Sequence, residues 1–214
     1  MARRFDLIIF DCDGVIVDSE RITHQVFGDF IRSLGADLSH SEMNEKFLGR
    51  RLADCLAIVE ELTGRRPPAD ALDDYRAERD RVLRARVQPV EGVRELLRQL
   101  ATPYCIASSG DHAKMETTLG ATGLLSAFAG RLYSATQVER GKPAPDVFLL
   151  AAAGMGAAPE RTAVVEDSIT GVQAGRAAGM TVFGFAGLVS AQALEAAGAH
   201  RTFAHMRELA ALLE

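Results

Sequence analysis

Short apolar runs alternate with helical patterns along most of this 214-residue chain, and this alternation constrains the fold more than any other feature. Five runs have the length and apolar content of buried strands: residues 5–10, 104–107, 131–134, 162–165 and 181–185. Helical patterns lie between them at residues 91–100, 146–153 and 168–178, and Gly179 is placed to end the last helix. The order predicts an α/β fold with a doubly wound, Rossmann-like parallel sheet that is covered by helices on both faces.

Residues 17–87 interrupt this alternation and are called the helical insertion below. They hold helical patterns but no convincing strand. Apolar residues recur at helical spacing in two groups: Ile22, Val26, Phe30 and Leu34, then Leu52, Leu56 and Val59. An Arg-rich helix is expected over residues 70–86. We therefore predict an α/β core of residues 1–16 and 88–214, with an all-helical cap domain inserted as residues 17–87.

Composition and charge argue against several classes of protein. Lys plus Arg is 24 and Asp plus Glu is 29, so the net charge is −5, which disfavours nucleic-acid binding. No run approaches the roughly 20 apolar residues of a membrane-spanning helix, and the first run is too short for a signal peptide. The scattered Cys12, Cys55 and Cys105 suggest neither a disulfide framework nor a zinc site. We expect a cytoplasmic monomer with no nucleic-acid or membrane partner.

Two carboxylates follow the first predicted strand directly. Asp11 and Asp13 are separated by Cys12 and followed by Gly14. Ligands of open α/β sheets bind at the carboxyl ends of strands, where carboxylates suit Mg²⁺ and backbone N–H groups suit phosphate. A turn rich in turn-forming residues would explain the same four positions.

Three further motifs can each be explained either as part of a binding site or as ordinary local structure. Ser108 and Ser109 end another predicted strand, as an anion site or as an ordinary helix cap. Lys142, one of three lysines, lies on a stiff turn before Pro143, although a solvated lysine is the ordinary reading. Glu166, Asp167 and Ser168 form the fourth motif at the end of the run 162–165, and the two acids suit a metal or a helix start. The four motifs are Asp11-Cys12-Asp13-Gly14, Ser108-Ser109-Gly110, residues 141–146 and residues 166–168. Because all four lie at carboxyl ends of strands in one predicted sheet, together they suit phosphoryl transfer.

With these motifs in view, the sequence resembles the haloacid dehalogenase superfamily. The resemblance is carried by residues 11–20 (DCDGVIVDSE), Ser108, residues 141–146 (GKPAPD) and residues 166–168 (EDS), in the family's order and spacing. It covers nearly the whole chain, including a helical cap inserted after the first motif. The branch that looks closest contains the sugar-phosphate phosphatases and the β-phosphoglucomutase-like proteins.

The resemblance implies a role for each motif. Asp11 would be the nucleophile that forms an aspartyl-phosphate, and Asp13 would protonate the leaving oxygen and then activate water. Ser108 and Lys142 would hold the phosphoryl group. The implied cofactor is Mg²⁺, and the residues expected around it are Asp11, Asp13 through its backbone carbonyl, Asp167, and Glu166 as a ligand or a neighbour of one.

Further substrate contacts are expected from Cys12, Gly14 and Ser109 beside the phosphate. Arg50 and Arg51 in the helical insertion have a charge that suits a phosphate or carboxylate, although surface charges would look the same in the sequence.

Asp13 favours phosphate esters over carbon–halogen bonds, because only an oxygen leaving group needs an acid. Thr23 stands where the related mutases carry a histidine, with His24 beside it, and Leu52 stands where they carry an arginine of the cap. These departures favour a phosphatase that acts on a small phosphorylated metabolite, a sugar phosphate or a phosphorylated acid. A β-phosphoglucomutase-like mutase and a non-catalytic phosphate-binding module are the alternatives.

Overall fold

A computed structural model describes residues 4–213 of the chain, and its centre is a sheet of six parallel strands. The strands in chain order are β1 (Leu7–Phe10), β2 (Val17–Asp18), β3 (Gln88–Pro89), β4 (Tyr104–Ser108), β5 (Leu132–Ser134), β6 (Thr162–Glu166), β7 (Thr181–Phe185) and β8 (Arg201–Phe203). The sheet order is β5-β4-β1-β6-β7-β8, while β2 and β3 form a separate antiparallel pair.

Ten α-helices lie within the described residues. They are α1 (Glu20–Ser33), α2 (His40–Phe47), α3 (Leu52–Thr63), α4 (Ala69–Arg86), α5 (Val93–Gln99), α6 (His112–Ala121), α7 (Asp146–Gly154), α8 (Ile169–Ala177), α9 (Ala191–Ala196) and α10 (Met206–Leu213).

The central strand β1 shows why the core has two layers of helices. Successive side chains of a strand point to opposite faces, so a strand buried on both faces must be apolar throughout. Ile8 and Phe10 pack in one cluster with residues of α5, α6 and α10, whereas Leu7 and Ile9 pack in another with residues of α7, α8 and α9. The doubly wound α/β fold expected from the sequence is therefore confirmed.

The sequence reading was incomplete at the sheet's edge. The sixth strand, β8, was not predicted, because Arg201 and Thr202 interrupt the apolar pattern and its three residues pair only with β7. The five predicted strands form with ends within two residues of their expected bounds. The helix over residues 168–178 also forms, and Gly179 follows it with a left-handed φ of 76°, which fits its expected place at the helix end.

Helices α1 to α4 pack around an aromatic cluster of their own. Phe27 contacts Phe47 edge-to-face with ring centroids 5.0 Å apart, and Phe30 lies 5.0 Å from Tyr75. Where the chain enters and leaves these helices, Val17 pairs with Pro89 in the β2–β3 ladder. The domain division at residues 16/17 and 87/88 stays a prediction.

Candidate active site

The four sequence motifs meet at the carboxyl edge of the sheet. Asp11 follows β1 and extends its ladder, since its amide donates to the Val165 carbonyl of β6 (2.9 Å). Ser108 and Glu166 are the last residues of β4 and β6. Lys142 reaches the same edge from the loop that follows β5. Parallel strands place their carboxyl ends together, so motifs far apart in sequence become neighbours.

Lys142 lies between two carboxylates. Its Nζ donates to Asp11 Oδ1 (2.5 Å) and to Glu166 Oε1 (2.6 Å), and its side chain is fully buried. Burial raises the pKa of Asp11 from 3.8 to about 7, because desolvation outweighs the attraction of Lys142. Burial opposes the charge of Lys142, but the attraction of Asp11 and Glu166 outweighs it and raises the lysine's pKa. The Lys142 ammonium is thus the fixed positive charge beside Asp11.

Asp13 is held at both carboxylate oxygens. The Ser19 hydroxyl donates to Oδ1, and Lys114 Nζ donates to Oδ2 at 2.8 Å. Burial would raise the pKa of Asp13, but Lys114 outweighs it, and the net effect lowers the pKa below 3.8. Asp11 and Asp13 are therefore two neighbouring carboxyls whose environments move their pKa values in opposite directions.

Gly14 makes room for Asp167. Its φ is 77°, and a Cβ at this position would collide with the Asp167 carboxylate. Asp167 is buried, yet no residue within 4–213 donates a hydrogen bond to its side chain. Burial and the nearby charges of Glu166 and Glu20 raise the pKa of Asp167 well above 3.8. This carboxylate lacks the partner that a buried charge requires.

The donor set fits a divalent cation. In the described part of the chain, five carboxyl groups and two ammonium groups are buried at this site: Asp11, Asp13, Glu20, Glu166, Asp167, Lys114 and Lys142. The excess of oxygen ligands and the unpartnered Asp167 match the preference of Mg²⁺ for carboxylate and carbonyl oxygen. No three His, Cys, Asp or Glu side chains of residues 4–213 form a ready metal cluster. The expected ligand set is Asp11, Asp167 and the backbone carbonyl of Asp13, with Glu166 as a ligand or a neighbour of one.

A cavity of about 270 Å³ opens above these groups, between the sheet edge and the helical insertion. Among the expected site residues its wall contains Asp11, Asp13, Ser108, Ser109, Arg50, Arg51 and Asp167. Lys142 and Glu166 do not line it, because they lie behind Asp11. Cys12 and Gly14 do not line it either. The Gly14 amide donates to the Val17 carbonyl, and burial raises the pKa of the Cys12 thiol.

The two serines after β4 have different surroundings. Ser108 is buried, and its Oγ accepts a hydrogen bond from the Gly110 amide (3.0 Å). The Ser109 hydroxyl donates to the Gly49 carbonyl of the helical insertion (2.7 Å). Both serines line the cavity, and Ser109 also joins the sheet edge to the insertion.

The two arginines of the insertion also differ. Arg51 pairs with Asp54 (2.9 Å) and donates to the Val138 carbonyl (3.4 Å). Arg50 forms no ion pair with another described residue, and its buried Nε has no hydrogen-bond partner there. The buried Thr23 hydroxyl on the same cavity wall is also unpartnered. Arg50 and Thr23 therefore offer unpartnered polar groups to a ligand in the cavity.

Several buried ionisable residues of the cavity wall were not among the sequence candidates, among them Lys114, Glu20 and His24. Lys114 pairs with Asp13, and Glu20 lies beside His24, whose Nε2 is 3.5 Å from Glu20 Oε2. Burial raises the pKa of Glu20 to about 8 and lowers that of His24 to about 4. The scarcity of lysine was the one available signal for Lys114, since nothing local distinguishes it from a surface charge.

The sequence model of the haloacid dehalogenase-like hydrolase family matches residues 5–179 of this chain. The chain therefore belongs to this family, and the resemblance noted from its motifs is confirmed. In agreement with that class, the chain is 33% identical over 183 residues to the 6-phosphogluconate phosphatase of Escherichia coli. The match covers 85% of this chain and 83% of that protein. With named phosphatases among its relatives, the chain is a phosphoric monoester hydrolase.

Solved structures agree with the fold. A haloacid dehalogenase-like protein of unknown function from Agrobacterium tumefaciens is 40% identical, with a TM-score of 0.80 and 97% of each chain covered. A hydrolase of the same family from Deinococcus radiodurans, solved with bound phosphate and sodium, is 35% identical with a TM-score of 0.75. That match covers 99% of this chain and 96% of the other. Among residues 4–213, no helix combines the length and apolar character needed to span a bilayer.

Proposed function

We propose that this phosphatase hydrolyses a small phosphate monoester, a phosphorylated sugar or a phosphorylated acid, through an aspartyl-phosphate on Asp11. The observation that carries the proposal is the convergence of Asp11, Asp13 and Asp167 on one cavity at the carboxyl edge of the sheet. Ser108 lines the same wall, and Lys142 supports Asp11 from behind.

In the first step, an Asp11 oxygen attacks phosphorus and the bond from phosphorus to the leaving oxygen breaks. Asp13, in its carboxylic acid form, gives a proton to that oxygen and becomes a carboxylate. In the second step, water attacks the phosphorus of the aspartyl-phosphate, Asp13 takes a proton from the water, and Asp11 and inorganic phosphate are released. The Ser108 hydroxyl donates a hydrogen bond to a phosphoryl oxygen, and Lys142 holds Asp11 in place through the 2.5 Å hydrogen bond from its Nζ.

Asp11, Asp167 and the backbone carbonyl of Asp13 would hold Mg²⁺, which supplies positive charge against the carboxylates and the phosphoryl oxygens. Glu166 has another task in this proposal. Its Oε1 accepts from Lys142, and its Oε2 accepts from the Ser168 amide and hydroxyl, both at 2.9 Å. It therefore orients Lys142 and the start of α8.

Two further polar groups of the cavity wall support a substrate class. The unpartnered Arg50 Nε and Thr23 hydroxyl suit an acidic or hydroxyl-bearing body on the phosphate ester. The relative named as a 6-phosphogluconate phosphatase supports the same class. Phosphorylated sugars and phosphorylated sugar acids are therefore the first compounds to test.

The test is phosphate release with Mg²⁺ and with EDTA across small phosphate esters, with hexose 1-phosphates followed for conversion to 6-phosphates. We expect metal-dependent release, and Asp11→Asn should reduce it by at least about a thousandfold, as loss of a nucleophile does elsewhere. Asp74→Asn, on the exposed surface of α4, is the control and should retain full activity. Isomerisation with little release would instead identify a mutase, and His24 on the cavity wall would then be its candidate acid–base group. Neither activity on any ester would favour a phosphate-binding module.

A further inference from the structure

The cavity between the sheet edge and the helical insertion contains one arginine that differs from the other cations of its wall. Five arginine and lysine side chains line this cavity, and four of them have a carboxylate partner. These pairs are Arg51–Asp54 (2.9 Å), Arg76–Asp73 (2.9 Å), Arg79–Asp80 (2.8 Å) and Lys114–Asp13 (2.8 Å). The fifth is Arg50, which forms no ion pair with any residue of the range 4–213. The wall therefore carries one positive charge that the described chain does not pair.

The hydrogen bonds of the chain point to the same place. Buried side-chain nitrogen and oxygen atoms are nearly always hydrogen-bonded in folded proteins. Among the described residues, the two exceptions are Arg50 Nε and the Thr23 hydroxyl, and both residues line this cavity. A buried donor without a partner costs free energy, which a ligand that accepts from these groups would recover.

The main chain next to Arg50 is fixed to the sheet edge. The carbonyl of Gly49 accepts a hydrogen bond from the Ser109 hydroxyl (2.7 Å), which joins the segment before α3 to the end of β4. Arg50 lines the same cavity as Asp11 but belongs to none of the four motifs. It can therefore contact the body of a substrate whose phosphate lies at Asp11.

A carboxylate matches Arg50 better than a second phosphate does. The guanidinium presents parallel N–H donors that fit the two oxygens of a carboxylate, and the two groups carry equal and opposite charge. A phosphate monoester carries a charge of about −1.5 to −2 at pH 7. The described wall has no second unpaired arginine or lysine to balance it. The cavity volume of about 270 Å³ is small for a ligand site, so the ligand is a small metabolite.

We propose that Arg50 is a specificity-determining residue that binds a carboxylate of the substrate, so that the enzyme prefers a phosphorylated sugar acid to the corresponding phosphorylated alcohol. The inference rests on the function proposed above and narrows its substrate class. Arg50 contacts the body of the substrate and not the reacting phosphorus, so it stabilises the bound substrate and the transition state alike. Its loss should therefore raise KM and leave kcat nearly unchanged.

The test compares phosphate esters that differ only in a carboxylate and a hydroxymethyl group. One pair is gluconate 6-phosphate and glucitol 6-phosphate, and a shorter pair is glycerate 3-phosphate and glycerol 3-phosphate. With Mg²⁺, the wild type should hydrolyse the acid of at least one pair with a kcat/KM about tenfold or more above that of its alcohol. Arg50→Met should lower kcat/KM for that acid by about tenfold to a hundredfold, mainly through KM, as expected for a hydrogen bond to a charged group. For the alcohol, the loss should be less than about threefold.

Two further substitutions separate charge from packing. Arg50→Lys keeps the charge and should recover part of the preference for the acid, and Arg50→Gln is a second neutral variant if Arg50→Met does not fold. The matched control is Arg66→Met, which removes an exposed arginine of the same insertion outside the cavity. It should leave kcat/KM for both esters unchanged.

Equal losses with the acid and its alcohol in the neutral variants would overturn the inference, because an arginine with a structural role would affect both alike. A wild type that prefers the acid in neither pair would also overturn it. If a sugar bisphosphate is preferred to the acids and Arg50→Met removes that preference, Arg50 binds a second phosphate and the carboxylate is refuted. Failure of the proposed function is distinguishable, since the wild type would then release phosphate from none of these esters with Mg²⁺.

Discussion

Replacing Asp11 with asparagine should abolish turnover and, in the absence of metal, make the folded protein more stable at neutral pH. Burial raises the pKa of Asp11 from 3.8 to about 7. A carboxyl whose pKa is higher in the folded than in the unfolded state destabilises the fold at pH values above its unfolded pKa. The loss grows as the pH rises towards 7 and is constant above it.

The magnitude follows from the same two pKa values. They differ by about three pH units, and each contributes about 1.4 kcal/mol, so the ceiling of the penalty is about 4 kcal/mol at pH 7 and above. At about pH 5, the pH exceeds the unfolded pKa by only about one unit, so the penalty on folding is about 1.5 kcal/mol. Asparagine has the same shape and can still accept the hydrogen bond from Lys142, so it removes the charge with little change in packing.

Urea unfolding in EDTA, at about pH 5 and about pH 7.5, measures this difference. Asp11→Asn should unfold at higher urea than wild type, with the larger gain at the higher pH, and each kcal/mol should raise Tm by roughly 2–4 °C. The exposed Asp74→Asn controls for a general loss of negative charge and should gain little at either pH. A destabilised Asp11→Asn at about pH 7.5, or a gain that is the same at both pH values, would refute the reasoning. The first result would mean that the attraction between Asp11 and Lys142 exceeds the cost of burying Asp11.

Three further results are expected. Gly171→Ala should destabilise the fold by several kcal/mol in urea titrations, since its Cβ would collide with the Glu166 carboxylate. The control is Gly120→Ala in α6, which has open space around it and should be neutral or stabilising, by up to about 1 kcal/mol. Equal changes in unfolding free energy for the two variants would contradict the argument. The main effect of Gly49→Ala should be a higher KM, with a smaller loss of stability in the core. The φ of Gly49 is 74°, and a Cβ here would collide with Ser168 where the helical insertion meets the sheet edge. An unchanged KM would speak against this contact in the working enzyme. EDTA should abolish activity, and activity that survives chelation would contradict a requirement for the metal. In thermal unfolding, Mg²⁺ at about 100 times its Kd should stabilise the wild type by about 2.7 kcal/mol.

Much of the fold was readable from local patterns. The runs that became β1, β4, β6 and β7 are apolar because both faces of a central parallel strand are buried, and such runs are recognisable without a partner. The edge strand β8 was missed for the complementary reason. Arg201 is exposed, and β8 is held in the sheet by its pairing with β7, so no local sequence pattern indicates a strand there.

The site was readable in part. Asp11, Asp13 and Lys142 were found because their motifs follow strands or occupy stiff turns. Lys114 was missed, because a lysine in the first turn of a helix looks like a surface charge until the partner 101 positions earlier is known. The catalytic and metal-binding roles, the domain boundaries, the cytoplasmic location and the monomeric state all stay predictions.

The sequence by itself determined the α/β class and the identity of the acids and the lysine that reach the carboxyl edge, because strand order and motif spacing are properties of the chain. Only the tertiary structure decided how these groups are paired. It placed Lys142 behind Asp11, assigned Lys114 to Asp13, and left Asp167 and Arg50 without partners among the described residues. The physical reason is that charge pairing and desolvation act over a few ångströms in space, and these distances exist only once the sheet and the helical insertion have come together.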